Sequence, residues 1–136
     1  RKRGPLMKPE LYNGLSLAYI GDAVYEMYIR EMILSDGLTK INNLHKKAIL
    51  YTSGVGQSYA VTKLLEDNVL TENEITYYKR GRNSHVKKVR KNVARQTYLR
   101  ATGFESLIGY LYLSKQIERL NCLMELSSKI INERTE

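Results

Sequence analysis

Apolar residues from Leu15 to Leu34 recur at three- and four-residue spacing, with Leu17, Ile20, Val24 and Met27 on one stripe. This predicts a long first helix. Asp36-Gly37 supplies its stop. Thr39 is placed to cap a second helix through about Tyr51, and Ser53 or Gly54 opens a third that ends near Asn68. Thr71-Glu72-Asn73-Glu74 has the capping-box pattern of a short fourth helix ending at Gly81. A basic loop over 83–91 leads to a fifth helix, Val93 to Leu113, with Ala101, Phe104, Ile108 and Leu111 on one face. A sixth runs from Gln116 to about Asn132. No period-two strand or repeat stands out, so the class is all-α, with about six to seven helices. Residues 1–10 read as a disordered leader, and 11–136 as one domain.

At 136 residues the chain fits a single domain with a sizeable core. Its one cysteine, Cys122, excludes an intramolecular disulfide framework, and His45 and His85 lack neighbouring ligands at zinc spacing. No apolar run approaches the ~18–20 residues that would span a bilayer. A soluble, cytoplasmic protein is the expectation.

Charge changes the picture. The net charge is +8, and from residue 75 to 104 there is no acid at all. That stretch holds Lys79, Arg80, Arg82, Lys87, Lys88, Arg90, Lys91, Arg95 and Arg100, while the rest of the chain is close to neutral. A local surplus of this kind is the footprint of a phosphate-backbone binder; the plainer alternative is a solvated basic loop.

Two acids sit in apolar company: Asp22, in Ile20-Gly21-Asp22-Ala23-Val24, and Glu105, in Gly103-Phe104-Glu105-Ser106-Leu107. A carboxylate withdrawn from water needs a pair, hydrogen bonds or a metal. Gly21, Gly103 and Gly109 flank these acids, although helical glycine costs about 1 kcal/mol relative to alanine. Absent side chains let backbones approach or leave room for a hydrated ion, and two carboxylates plus water suit Mg²⁺. Asp22 paired with Arg30 or a base elsewhere, and Glu105 with Arg100 or Lys115, is the structural alternative. Glu26, four residues beyond Asp22, is a candidate outer-sphere group or an exposed surface acid.

The segment Asn13-Gly14-Leu15-Ser16-Leu17-Ala18-Tyr19-Ile20-Gly21-Asp22-Ala23-Val24-Tyr25-Glu26 resembles the signature helix of ribonuclease III domains, above all the Mini-ribonuclease III variety. His45-Lys46-Lys47, Lys79-Arg80-Gly81-Arg82-Asn83, Gln96-Thr97-Tyr98 and Phe104-Glu105-Ser106-Leu107-Ile108-Gly109-Tyr110-Leu111 agree in order. The departures are Ala18 and Thr102, which stand where ordinary ribonuclease III carries two further carboxylates. The Mini variety shares this reduced pattern, and the expectation is a protein that, like it, lacks the double-stranded-RNA-binding domain and binds RNA through this domain.

The resemblance implies a ribonuclease III-like helical endonuclease domain: a homodimeric, Mg²⁺-dependent enzyme cutting double-stranded RNA to 5′-phosphate and 3′-hydroxyl ends. The implied role is maturation of the large-subunit (23S) ribosomal RNA precursor, with a ribosomal protein on the substrate as a further partner. Asp22 and Glu105 would hold the metal and carry catalysis. Lys46, Lys47, Lys79, Arg80, Arg82, Asn83, Lys87, Lys88, Arg90 and Lys91 would bind RNA, and Tyr19 would insert into the partner subunit. The reading from another class is a non-catalytic RNA-binding helical domain, which would gain nothing from two acids beside phosphates. A helical adaptor would leave the acid-free basic stretch unexplained.

Overall fold

The computed structural model describes residues 4–37, 39–84 and 92–135. Across them run six α-helices: α1 (Gly14–Ser35), α2 (Ile41–Thr52), α3 (Gly54–Glu66), α4 (Glu72–Arg82), α5 (Val93–Leu113) and α6 (Ile117–Thr135). The all-α expectation holds, and local chemistry explains most boundaries. Asn13 caps α1 by accepting the Ser16 amide at 2.8 Å, and Gly37, at φ +85°, provides the left-handed residue after its end. Ser53 caps α3 and Asn92 caps α5 in the same manner. The capping box of α4 is complete, with Thr71 and Glu74 each accepting the other's amide. The expected Thr39 cap is not used: α2 starts one residue later, from Lys40, without a side-chain cap.

The largest correction concerns the face of α1. Its buried row is Leu17, Gly21, Tyr25, Ile29 and Ile33, spaced every four residues, whereas Met27 points to solvent and Ile20 and Val24 are only half-buried. The helix is apolar on almost every side, so hydrophobicity alone did not select the stripe.

Helix α5 is the axis of the domain. From Ala101 to Leu111 every residue is buried except Glu105, and α1, α3 and α4 pack along it. Two glycine pairs set how closely they approach. Gly21 lies on the carbonyl of Glu105 and Gly109 on the carbonyl of Leu17, leaving no room for a Cβ at either position. On the other side, Gly103 lies against the ring of Tyr78 and Gly81 against Ser106, so that a Cβ at either position would collide with its neighbour. Tyr25 packs edge-on against Phe104 with ring centroids 4.9 Å apart, sealing the α1–α5 seam.

Ahead of α1, Pro9–Leu11 form a 3₁₀ turn within the stretch bordering the expected leader. Arg80 donates to the carbonyls of Glu10 (2.6 Å) and Tyr12 (3.1 Å) and stacks over Tyr77, tying this turn to α4.

Candidate active site

The α1–α5 crossing brings together the two acids that the sequence singled out. Because Gly21 allows the backbones to touch at Glu105, the next residue of α1, Asp22, presents its carboxylate beside the Glu105 side chain. Asp22 is exposed and Glu105 half-buried, so the pair opens onto solvent from a largely apolar wall. Burial, then the hydrogen bond and charge of Asp22, push the Glu105 carboxyl up to about 8, while the Gln57 amide acts in the opposite direction.

No cation of the protein relieves this repulsion among the described residues. Arg30 pairs with Glu26, at 3.0 Å, and not with Asp22; this exposed i,i+4 pair also occupies Glu26. Neither Arg100 nor Lys115 forms an ion pair with Glu105. Two acids held together without a counter-charge are unfavourable unless a proton or a metal ion joins them.

The donor set fits a hard divalent cation. Asp22 and Glu105 supply carboxylate oxygens, and among the described residues no third His, Cys, Asp or Glu joins them. That suits Mg²⁺, which keeps several waters and takes one or two carboxylates, better than an ion requiring a closed protein cage. Ala18 and Thr102 are buried, and the Thr102 hydroxyl bonds back to the carbonyl of Tyr98. Neither position therefore adds a carboxylate to the pair.

Sequence reasoning missed Gln57. It lies on α3, 2 % exposed, with Nε2 donating to the Thr52 carbonyl (3.1 Å) and reaching Glu105 Oε2 at 3.5 Å. Its Oε1 is buried without a partner. Only the turn from α2 into α3 makes it a neighbour of the site.

The basic candidates separate. Lys46 is exposed and Lys47 half-buried on α2, and Lys79 and Asn83 are exposed on and after α4. Helices α2 and α4 do not touch, so these residues form two patches with α1 contacting both helices. Arg82 leans over Tyr78 and bonds Asn83, and the half-buried Arg80 is engaged by the carbonyls of Glu10 and Tyr12. Lys87, Lys88, Arg90 and Lys91 lie outside the described residues. Tyr19 is 80 % exposed on the outer face of α1.

An all-α domain built round a central helix, with two acids paired where a second helix crosses it, has the design of a ribonuclease III domain, and residues 15–116 match the family model described as Ribonuclease III domain. Mini-ribonuclease 3 of Enterococcus faecalis is 48% identical over 124 residues, covering 91% of this chain and 94% of that protein. Mini-ribonuclease 3 of Streptococcus pneumoniae is 46% identical, covering 84% and 89%, and that of Staphylococcus aureus 39% identical, covering 92% and 93%. A crystal structure of a Fusobacterium nucleatum protein superposes with a TM-score of 0.77 at 30% identity, covering 91% of this chain and 98% of that one. The chain belongs to the ribonuclease III family, in its Mini-ribonuclease 3 branch. Its class of activity is therefore that of an endoribonuclease.

Proposed function

We propose that the chain is a homodimeric, Mg²⁺-dependent endonuclease of double-stranded RNA that matures the 23S ribosomal RNA precursor. The observation that carries the metal-dependent reading is the Asp22–Glu105 pair, two acids forced together by a backbone-tight helix crossing with no cation among the described residues to neutralise them. A purely RNA-binding domain would pay repulsion toward phosphates for this pair and gain nothing.

Asp22 and Glu105 would hold the ion at the scissile phosphate. When bound, Mg²⁺ supplies Lewis-acid activation of the attacking water and neutralises charge on the leaving 3′ oxygen. The protein's part is positional. The Gly21–Glu105 contact fixes the spacing of the acids, and the buried α5 around Glu105 keeps that carboxylate from swinging away. A-form RNA is read by shape and backbone, so separated basic patches serve it well. Lys46, Lys47, Lys79, Arg82 and Asn83 supply such patches, with Lys87, Lys88, Arg90 and Lys91 adding four charges in the acid-free stretch.

Dimerisation is supported by the outer face of α1. Leu15, Tyr19, Ala23 and Met27, each four residues apart, are all exposed, making an apolar stripe opposite the buried row. Beside it lies a groove of ≈ 450 Å³ lined by Leu6, Tyr12, Leu15, Tyr19 and Leu113, among others. Isologous pairing through α1 would cover the stripe and place two sites on one duplex.

Incubation with long duplex RNA, with and without Mg²⁺, followed by a denaturing gel tests the reading. Short products are expected only with the ion; intact RNA in both lanes would contradict it.

A further inference from the structure

Gln57 is a polar side chain in a place where packing favours an apolar one. It is 2 % exposed on the face of α3 that also buries Ala60, Val61 and Leu64. Its Oε1 has no partner, and a buried amide with an unpaired carbonyl destabilises a fold. Leucine would fill a similar volume without that penalty.

What the amide does there is set by the corner before it. Ser53 caps α3 through the Gly56 amide, and Gly56 lies so close to the Leu50 carbonyl that no Cβ fits. This tight turn brings the first turn of α3 against the end of α2 and aims Gln57 Nε2 at two oxygens. One is the backbone carbonyl of Thr52, which anchors the amide; the other is Oε2 of Glu105, 48 residues away. Among the described residues it is the one neutral donor that reaches the Glu105 carboxylate. With Ala18 and Thr102 in place of two further acids, few polar groups remain to orient the pair.

We infer that Gln57 is a positioning residue for the metal-binding carboxylate pair: its Nε2, anchored on the Thr52 carbonyl, holds Glu105 in the orientation that receives the ion. This rests on the reading of Asp22 and Glu105 as metal ligands. Outer-shell hydrogen bonds of this kind commonly govern metal affinity or activity by ~10–100-fold.

The test compares wild type with Gln57→Leu, Gln57→Met and Asp22→Asn. Each metal-stripped protein is titrated with Mn²⁺ and free ion is read by electron paramagnetic resonance, without RNA. Melting temperature, and kcat and KM on duplex RNA, are measured on the same proteins. Gln57→Leu should melt at or above the wild-type temperature and keep KM within about twofold. Its Mn²⁺ affinity and its kcat at limiting metal should each fall on the order of tenfold or more, and saturating Mn²⁺ should restore most of the kcat. Gln57→Met should behave alike.

If either Gln57 variant keeps wild-type Mn²⁺ affinity and kcat while Asp22→Asn loses both, the inference about Gln57 is overturned and the metal site stands. Should both Gln57 variants lose more than about 10 °C of melting temperature, with activity falling only as the folded fraction does, Gln57 is structural and the inference is overturned likewise. If Asp22→Asn itself binds Mn²⁺ and cleaves as wild type, the metal reading fails and the inference falls with it.

Discussion

Gly21 of α1 rests on the backbone carbonyl of Glu105 in α5, and that contact makes Asp22 and Glu105 neighbours. A hydrogen atom at position 21 is therefore a condition of the site as much as of the core. Gly21→Ala has no space for its methyl, because the obstructing atoms are backbone. Overpacking typically costs ~1–3 kcal/mol, against which alanine regains ~1 kcal/mol of helix propensity. The expected outcome is a modest fall in melting temperature together with a disproportionate fall in kcat, as the helices part and the acids separate. Differential scanning calorimetry beside single-turnover cleavage checks this; equal wild-type activity in Gly21→Ala would contradict it.

The raised Glu105 carboxyl carries a pH signature. In the folded, metal-free protein it titrates near 8 and in the unfolded chain near 4.5, so the folded state binds the extra proton between those values. Stability from this group consequently falls as pH rises through that window and levels off above about 8. Glu105→Gln should abolish this slope and, in chelator at pH 8, unfold at higher denaturant than wild type. Urea titrations at pH 5 and pH 8 measure both effects. A wild-type slope that survives the substitution would place the titration elsewhere.

Far from the site, Glu74 and Arg119 lock α4 to α6. Glu74 is buried at 3 % exposure; it takes two hydrogen bonds from Arg119, which also bonds the Val69 carbonyl. Burial alone would raise the Glu74 carboxyl, but the Arg119 and Thr71 hydrogen bonds outweigh it and hold it below 4.5. This pair's stabilisation is present above pH 4.5 and lost as pH falls through the lowered value. Arg119→Leu leaves a buried acid alone and should cost roughly 3 kcal/mol at neutral pH, the lower part of the usual range because Arg119 is one-third exposed. The loss should shrink below pH 4, where wild type weakens as well. Denaturation at pH 7 and pH 3.5 decides the matter.

Tyr19→Ala should leave the fold of the subunit intact, since the ring is 80 % exposed, while weakening self-association by about 2 kcal/mol or more if it anchors the interface. Sedimentation velocity across micromolar concentrations reads this as a shift from dimer to monomer. A wild-type protein that stays monomeric would contradict the dimer.

The local signals in the chain were legible. The capping box Thr71–Glu74 and the bounds of α5, Val93 to Leu113, follow from residues within one turn of each element. The acids Asp22 and Glu105 were conspicuous because charge in an apolar helix needs a reason. The buried face of α1 was not legible: with Leu15, Tyr19, Ala23 and Met27 also apolar, two stripes compete, and contact with α5 decides between them. Arg80 looked like one more cation of a basic run, and its engagement with Glu10 and Tyr12 depends on chain 68 and 70 residues away. Gln57 gave no signal, since a lone glutamine in a helix acquires meaning only from Thr52 and Glu105.

The central claim, that Asp22 and Glu105 together hold the ion that hydrolyses duplex RNA, is tested most directly by single-turnover cleavage with saturating protein and Mg²⁺. Wild type, Asp22→Asn and Glu105→Gln are compared on one duplex, with RNA binding measured alongside. Loss of metal-derived charge stabilisation removes several kcal/mol, so each variant should bind the duplex as wild type does yet cleave it about a hundredfold more slowly or worse. Cleavage by either variant at the wild-type rate, with the same Mg²⁺ dependence, would contradict the account.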